Sequence, residues 1–346
     1  MSNNLFIPTT SMSIHKGWMK LINQTADRYA LPKDKYFNEF TNVNAQLDVR
    51  DIRTILYQMT QDSGDPFYPF QASEQVNPLT FGCYSLTLWT APTLLQLLKD
   101  ACKYCVAIGS PIRLRFHETP QGNIELWVVN HEPLNKESHV TYAGVTLYMS
   151  TILQIIHQTT EFRLDDIGLK LIQWPYEARL QAEFEQKMQC NISVGSPIRK
   201  ICIRRQHLFT PLATSDAAVY PLAQKLLRQH ATKIEVNDIV LQVYKVLDSM
   251  TSLTDISCYV IAQKMLFSTR TLNRRLQEVG TSYRGVVEKY KLEKALQLLN
   301  QPNTNMTEIA FQLGFSDLST FSRAFKRWTG SSPSHLDSLA EIKPIV

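Results

Sequence analysis

The amino-acid sequence predicts an α+β N-terminal domain, with a small sheet and covering helices, followed by an all-α C-terminal domain. The C-terminal domain is expected to hold two helix-turn-helix units joined by a linker helix. Three observations predict this organisation: the chain of 346 residues is long for one core, strand patterns end before Pro221, and one helical pattern occurs twice after it. We place the boundary after residue 232, so that the domains span 1–232 and 233–346.

The N-terminal half mixes two kinds of apolar spacing. Residues spaced as on one helix face predict helices over 14–30, 48–61, 92–102, 145–158 and 178–188. Alternating or short apolar runs predict strands over 79–89, 112–116, 124–129 and 169–174. The second and third strands are close enough in sequence to pair as a hairpin across residues 119–123. Helices and a small sheet within one domain indicate the α+β class.

Two arginines alternate with apolar residues on the strand that begins at Ile112. Ile112 and Leu114 face one way, so Arg113 and Arg115 face the other. Their guanidinium groups would suit the carboxylate of an effector. The alternative, which we favour, is a strand edge that faces solvent, and the effector-binding residues therefore stay unassigned.

The composition argues against several classes of protein. No apolar run reaches the roughly 18 residues of a membrane span, and the N-terminus lacks a basic stretch followed by an apolar one. We therefore expect a cytoplasmic protein with no membrane partner. The 6 cysteines are too scattered for a disulfide scaffold, and we expect Cys102 and Cys105 to pack in a core rather than bind a metal. The sequence contains no catalytic or nucleotide-binding motif, so we expect neither an enzyme nor a cofactor.

The charge is uneven along the chain. The whole sequence has a net charge of +5, whereas residues 260–330 contain eleven Lys or Arg and five Asp or Glu, which gives +6. A basic domain attached to a neutral body predicts a polyanion partner for that domain alone. The alternative is a solvated helical surface that binds no nucleic acid.

A sequence repeat within the basic region is the strongest indication of what this region does. Residues 261–268 align with 309–316 at a separation of 48, and residues 271–276 align with 320–325 at a separation of 49. Each copy has the pattern of a short helix, a tight turn and a second helix that Ser or Thr begins. The repeat therefore predicts two helix-turn-helix units in one chain.

The second helix of each unit has one apolar and one polar face. The apolar positions recur at i, i+4 and i+7: Leu272, Leu276 and Val279 in the first copy, and Phe321, Phe325 and Trp328 in the second. The opposite faces carry side chains that can read base edges: Arg270, Asn273, Arg274 and Gln277, then Ser319, Ser322, Arg323 and Lys326. These faces predict two recognition helices for double-stranded DNA.

The linker helix predicted over residues 282–299 sets the spacing of the units. Its 18 residues would span about 27 Å. With the flanking turns, the two recognition helices are expected about one DNA turn apart, roughly 34 Å, on one face of the duplex.

Residues 309–333 follow the pattern IAxxxGFSDxSxFxRxFKRxxGxSP. This pattern closely resembles the signature of the AraC/XylS family of bacterial transcription regulators, and the resemblance covers about residues 238–337. It implies base-reading side chains on the second helix of each unit: Arg270, Asn273, Arg274, Ser319, Thr320 and Arg323. It also implies that Lys326 and Arg327 contact phosphate, which positions a protein without reading the sequence.

Two places depart from the family pattern. The turn of the first unit has Leu266 where the family usually has glycine. After Pro333 the family usually continues to an aromatic residue and an arginine, where this chain has Leu336 and Asp337. The N-terminal domain is similar, through residues 79–98, to the effector domain of the ornithine and virulence regulators of the family.

These observations together predict a sequence-specific DNA-binding transcription regulator, an activator that responds to a small-molecule effector. The expected partners are double-stranded promoter DNA, RNA polymerase, the effector and a second copy of the chain in a homodimer. Two alternatives stay open. One is a ligand-independent regulator controlled by a protein partner or by its expression level, and the other is an N-terminal enzyme tethered to DNA.

Overall fold

The computed structural model describes residues 13–37, 47–109, 112–130, 142–160, 167–299, 301, 305–330 and 332–335. The N-terminal part contains both helices and short strands. The helices are α1 Gly17–Ala26, α2 Lys33–Phe37, α3 Val49–Ser63, α4 Tyr68–Ser73, α5 Cys83–Trp89, α6 Leu94–Lys103, α7 Tyr142–Thr159, α8 Gln181–Met188 and α9 Val219–Asn237. The strands are β1 Ser13–Ile14, β2 Leu47–Asp48, β3 Ile112–Glu118, β4 Ile124–Asn130, β5 Gly168–Lys170, β6 Asn191–Ser193 and β7 Arg199–Ile203.

The main sheet has five strands in the order β3-β4-β7-β5-β6. The pairs within it are antiparallel, apart from β5 and β6, which run parallel. The predicted hairpin is present: Glu118 lies opposite Ile124, and Gly122 turns the chain with a left-handed φ of 78°. A second, two-stranded sheet pairs β1 with β2. A small sheet with covering helices confirms the predicted α+β domain.

The main sheet contributes to two separate cores, because successive side chains of a strand point to opposite faces. Leu114, Leu126 and Ile201 belong to the core of the N-terminal domain, where α6 packs against β3. Trp127 and Val129 point to the other face and belong to the core that the C-terminal helices form. The second face of the sheet is therefore the joint between the two domains.

The predicted strand over residues 79–89 is wrong, because helix α5 occupies most of it. The alternation of apolar and hydroxyl residues resembled a half-exposed strand. In the structure, Ser85 and Thr87 are fully buried. Thr87 Oγ1 donates a hydrogen bond to the carbonyl oxygen of Cys83 at 2.7 Å, as helical hydroxyls do when no water is available. Ser85 and Thr87 therefore pack in the core as small residues. The alternation of apolar and hydroxyl residues over 79–89 does not show which side chains are exposed.

The C-terminal part is helical. Its elements are α10 Ile239–Asp248, α11 Cys258–Lys264, α12 Thr269–Glu278, α13 Tyr283–Leu299, α14 Met306–Gln312 and α15 Leu318–Thr329. Helix α13 is the predicted linker helix, and the pairs α11–α12 and α14–α15 are the two predicted helix-turn-helix units. No strand follows Pro221 in the described residues, which confirms the all-α class. Leu336 and Asp337 lie outside the described residues. Among the described helices, none combines the length and apolar character that crossing a membrane requires.

Helix α9 connects the domains and runs through the predicted boundary at residue 232. Its buried residues Leu227 and Ile234 belong to the core of the N-terminal domain. The change of core comes at Asp238, because α10 contributes Val243 to the core of the C-terminal domain. The boundary after residue 232 stays a prediction.

Candidate DNA interface

Side-chain caps fix where the four helices of the two units begin. In the first unit, the hydroxyls of Ser257 and Ser268 accept hydrogen bonds from backbone N–H groups three residues on, at 3.2 and 3.1 Å. In the second unit, the amide oxygen of Asn305 accepts from the N–H of Thr307, two residues on, at 2.9 Å, and the carboxylate of Asp317 accepts from the N–H of Thr320, three residues on, at 2.7 Å. Such caps satisfy donors that the first turn of a helix leaves without a partner.

Apolar residues fix the orientation of the two recognition helices, α12 and α15. Leu272 and Leu276 are fully buried on α12, and Phe321 and Phe325 are fully buried on α15. Each pair is four residues apart and so lies on one helix face. Burying such side chains stabilises the fold by about 1.5–3 kcal/mol each. The opposite face of each helix is consequently directed to solvent.

The turns of the two units have the same backbone geometry although their sequences differ. Leu266 has a left-handed φ of 58°, and Gly314, at the equivalent place, has a φ of 70°. In both turns the next residue donates its N–H to a carbonyl five positions back: Phe267 to Ala262 at 2.8 Å, and Phe315 to Ala310 at 2.9 Å. Leu266 therefore adopts the left-handed backbone conformation that glycine usually adopts at this position in the family.

The first recognition helix exposes its three predicted base-reading side chains. Arg270 forms no ion pair within the described part of the chain. Arg274 Nη1 pairs with Glu278 Oε1 at 2.5 Å, one turn along the helix. Asn273 Oδ1 accepts a weak hydrogen bond from Cys258 Sγ at 3.6 Å. Because these partners are themselves exposed or weakly bound, either side chain can exchange its contact for a base edge at low cost.

The second recognition helix exposes Ser319 and Arg323, whereas Thr320 is half-buried. Thr320 Oγ1 donates a hydrogen bond to Asp317 Oδ2 at 2.9 Å. The backbone N–H of Thr320 also donates to Asp317, and this bond contributes most to lowering the pKa of that carboxyl. A base contact by the Thr320 hydroxyl therefore competes with the cap of its own helix.

The two predicted phosphate contacts differ in their surroundings. Arg327 Nη2 pairs with Glu288 Oε1 at 2.8 Å and so fastens α15 to the linker helix. The same carboxylate oxygen also binds Arg284 Nε at 3.0 Å. Lys326 is exposed and makes no ion pair with any described residue. Of the two, Lys326 has the charge that is available to a phosphate.

The joint between the domains contains the two arginines of strand β3. Arg113 Nη2 binds Asp238 Oδ2 at 2.8 Å, and Arg115 Nε binds Glu293 Oε2 at 3.1 Å. The hydroxyl of Tyr244 donates to the other oxygen of Glu293 at 2.9 Å. The favoured expectation of a solvent-facing strand edge is wrong, since Arg113 is 2% exposed. The arginines do bind carboxylates, but these carboxylates belong to the C-terminal domain.

A signal for this joint was present in the sequence. Glu293 lies within the apolar stripe of α13, between Leu292 and Ala295, and it is 7% exposed. An acidic residue on the buried face of a helix requires a cationic partner across an interface. The basic partners follow from the alternation of β3, but only the packing of the two domains pairs Glu293 with Arg115.

Cys102 and Cys105 pack in the core of the N-terminal domain, as predicted. Both are free thiols, and burial raises the pKa of Cys102. Within the ranges that the structure describes, no three His, Cys, Asp or Glu side chains are grouped so that they could hold a metal ion.

This chain is similar to several known proteins. A helix-turn-helix domain family matches residues 261–338. The chain is 25% identical over 301 residues to the ornithine utilization regulator of Pseudomonas aeruginosa, covering 84% of each protein. It is 38% identical over 79 residues to the HTH-type transcriptional activator RhaS of Escherichia fergusonii, covering 22% of this chain and 28% of that protein. The solved structure of the transcriptional regulator CdpR from Pseudomonas aeruginosa matches with a TM-score of 0.48 and 17% identity, over 93% of this chain and 98% of that one.

Proposed function

The chain belongs to the AraC/XylS family of transcription regulators, and from this premise we propose that it activates transcription at its promoters in response to a small-molecule effector. Its helix-turn-helix module makes it a DNA-binding regulator. The observation that carries the proposal is the pair of capped helices, α12 and α15, whose apolar faces are buried and whose polar faces are exposed. We propose that both helices enter the major groove of one duplex.

The proposed base contacts divide between the two helices. Arg270, Asn273 and Arg274 would read one half of the site, and Ser319, Thr320 and Arg323 would read the other. Arginine suits guanine, asparagine suits adenine, and serine or threonine suits either base. Lys326 and Arg327 would bind phosphate, with Arg327 first releasing its contact to Glu288.

Selection of sites from random duplex DNA with the purified protein, at a fixed and stated salt concentration, tests this proposal. We expect an asymmetric motif of two short blocks whose centres lie about one helical turn, or roughly 10 base pairs, apart. The asymmetry follows because two different helices of one chain read the two blocks. A single block, or a palindrome with equal halves, would contradict reading by both units of one chain.

The proposed sign of regulation is activation. The relative RhaS, which is 38% identical to this chain over 79 residues, is named a transcriptional activator. Transcription in vitro with purified RNA polymerase, from a promoter that carries the selected site, measures the sign directly. We expect the transcript to increase with added protein. A decrease at every site position would make the protein a repressor.

The proposed effector would act through the joint between the domains. The sheet that carries Arg113 and Arg115 packs on the N-terminal core with one face and on the C-terminal helices with the other. A ligand that shifts this sheet would therefore change how the DNA-binding units are held. We also propose that the protein is a cytoplasmic homodimer. The family resemblance implies the dimer, and sedimentation of the protein with and without its DNA site measures the number of copies.

A further inference from the structure

The second recognition helix exposes a leucine at its first position. Leu318 is 38% exposed and lies outside the core of the C-terminal domain, to which Phe321 and Phe325 of the same helix belong. The other exposed side chains of α15 are polar: Ser319, Arg323, Lys326 and Arg327. Leu318 is therefore the one large apolar side chain that α15 exposes to solvent.

The helical repeat places Leu318 at one edge of the exposed face. Each residue turns an α-helix by about 100°, and Phe321 and Phe325 mark the buried face of α15. Leu318 then lies to one side of the buried face, and Thr320 lies to the other. Ser322 follows Leu318 by one turn and is its neighbour on the helix surface. The apolar side chain thus borders the polar face and lies beside a hydroxyl.

The position of Leu318 is also the part of the helix that reaches DNA. In helix-turn-helix proteins, the N-terminal residues of the recognition helix contact base edges. Leu318 is the first residue of α15, directly after its cap Asp317. In the first unit the equivalent residue is Thr269, because the second helices of the two units align at a separation of 49. A large and entirely apolar side chain at this position therefore distinguishes the second unit from the first.

Thymine is the base whose edge suits such a side chain. In the major groove, thymine presents the O4 acceptor and the C5-methyl group, and apolar side chains recognise that methyl group. The edges of the other three bases present hydrogen-bonding groups there, for which leucine has neither donor nor acceptor. A hydroxyl such as that of Ser322, beside Leu318, suits the O4 of thymine. The surroundings of Leu318 therefore match the edge of a thymine.

Exposure by itself does not distinguish Leu318, since single apolar residues are common on protein surfaces. Phe311 is larger and 54% exposed, but it lies on α14, the first helix of the same unit. Leu318 lies instead on the helix that carries the predicted base readers Ser319 and Arg323. Its place on this helix, more than its exposure, gives the leucine a partner in the DNA.

We propose that Leu318 is a specificity-determining residue, which contacts the 5-methyl group of one thymine in the DNA site. The inference rests on the proposed entry of α15 into the major groove. Binding removes both the methyl group and part of the leucine side chain from water, and this apolar burial favours thymine at that position.

Uracil tests the contact, because it differs from thymine only in lacking the methyl group. Each thymine of the selected duplex is replaced in turn by uracil, and fluorescence anisotropy with the full chain measures the affinity at a fixed salt concentration. We expect one uracil to weaken binding by about three- to fivefold, as expected for one methyl group left in water. A selected site without thymine in either block, or uracil duplexes that all bind as tightly as the thymine duplex, would overturn the proposal.

Variants assign the methyl contact to a residue. Leu318→Ala should bind the thymine duplex about three- to fivefold more weakly than the wild type and should no longer distinguish it from the critical uracil duplex. Leu318→Met keeps an apolar side chain of similar size and should keep the preference for thymine. Phe311→Ala is the matched control, because it removes an exposed apolar side chain from α14, and it should keep the full preference.

An undiminished preference for thymine in Leu318→Ala would assign the methyl group to another residue and overturn the proposal. Thermal unfolding of each variant shows that the comparison is made between folded proteins. Leu318→Gln provides a second test of the same kind, because it keeps the length of the side chain and makes its end polar. It should lose the preference for thymine over uracil as Leu318→Ala does.

Selection from random DNA distinguishes this inference from the proposed function. Leu318→Ala should still select two blocks but should lose the enrichment of thymine at the critical position. A wild-type protein that selects both blocks without a methyl preference would overturn this inference and leave the regulator intact. A wild-type protein that selects only one block would contradict both this inference and the proposed reading by two units.

Discussion

Arg113 and Asp238, 125 positions apart in the chain, form a buried ion pair across the joint between the two domains. Their side chains are 3% and 2% exposed, and Nη2 lies 2.8 Å from Oδ2. The other carboxylate oxygen of Asp238 caps α10 by accepting hydrogen bonds from Val240 and Leu241 at 3.0 and 3.1 Å. The carboxylate of Asp238 thus caps the first helix of the DNA-binding domain and also binds that domain to strand β3 of the sheet.

Removing one member of this pair should destabilise the protein strongly. Arg113→Met leaves the carboxylate of Asp238 buried without its counter-ion, and we expect a loss of about 3–5 kcal/mol in the free energy of unfolding. Urea unfolding, followed by the fluorescence of the 5 tryptophans, one of which is Trp127 in the joint, measures the loss. The double variant Arg113→Met with Asp238→Asn should lose less than the two single variants added together, because Asn keeps the cap and removes the charge.

The exposed pair between Arg179 and Glu177 provides a control for Arg113→Met. Its side chains are 77% and 68% exposed, so solvent screens the interaction. Arg179→Met should leave the unfolding curve unchanged. A similar loss from both substitutions would mean that burial does not give the Arg113 pair its strength.

Leu266→Gly should stabilise the protein. A left-handed backbone costs a residue with a Cβ about 1–2 kcal/mol, and glycine avoids this cost but gives up part of the gain as chain entropy. We expect a net gain of about 0.5–1 kcal/mol in the free energy of unfolding. Leu266 is 93% exposed, so the substitution removes almost no packing. Leu266→Ala keeps the strained backbone, and an equal gain from it would assign the effect to the exposed side chain instead.

The equivalent glycine should not tolerate the reverse change. A Cβ on Gly314 would lie 2.2 Å from the carbonyl oxygen of Leu253, and its φ of 70° is left-handed. Gly314→Ala should therefore destabilise the second unit by more than Leu266→Gly stabilises the first. Thermal unfolding of the two variants side by side compares the turns, and a harmless Gly314→Ala would contradict the close packing of the second turn.

Substitutions of base-reading residues should lower the specificity of DNA binding, whereas substitutions of phosphate-binding residues should lower the affinity for every sequence. Arg270→Ala and Arg323→Ala should each weaken the selected site by about 1–3 kcal/mol and leave random DNA nearly unaffected. Lys326→Ala should weaken all sequences alike and reduce the slope of log affinity against log salt by about one. Fluorescence anisotropy on both duplexes over a salt series measures these effects. Equal losses on both duplexes would remove Arg270 or Arg323 from the base readers.

The half-buried ring of His117 should make the protein less stable in acid. Burial is the main cause that lowers the pKa of His117 from 6.5 to about 4, and its ring centroid lies 3.8 Å from that of Trp127. The unfolded chain therefore takes up a proton below about pH 6.5, whereas the folded protein does so only near pH 4. This contribution to stability is fully present above about pH 6.5 and is lost as the pH falls towards 4.

Replacing His117 measures that contribution. After allowance for solvent screening, we expect the wild type to lose on the order of 1–2 kcal/mol more than His117→Gln between neutral pH and about pH 4.5. Burial also lowers the pKa of His15 to about 4, but His15 is present in both proteins, so the difference isolates His117. Parallel pH profiles of the two proteins would show that His117 titrates normally.

The candidate DNA interface could be predicted from the sequence because its determinants are local. The caps Ser268 and Asp317 and the i, i+4 pairs Leu272–Leu276 and Phe321–Phe325 define where a helix begins and which face it buries. Those faces then fix which residues are exposed, so Arg270 and Arg323 lie on the expected surface. Which base each residue contacts stays a prediction, because it depends on DNA.

The sequence by itself determined the two helix-turn-helix units, the linker helix and the hairpin of β3 and β4. Each depends on residues within a few turns or one loop of each other, and so has a readable period. Only the tertiary structure decided which polar side chains are buried and which groups they pair with. The same alternation that exposes an arginine on a free strand buries Arg113 against Asp238 when another domain packs on the sheet. Burial is a property of both packed surfaces, and the spacing along one strand describes only one of them.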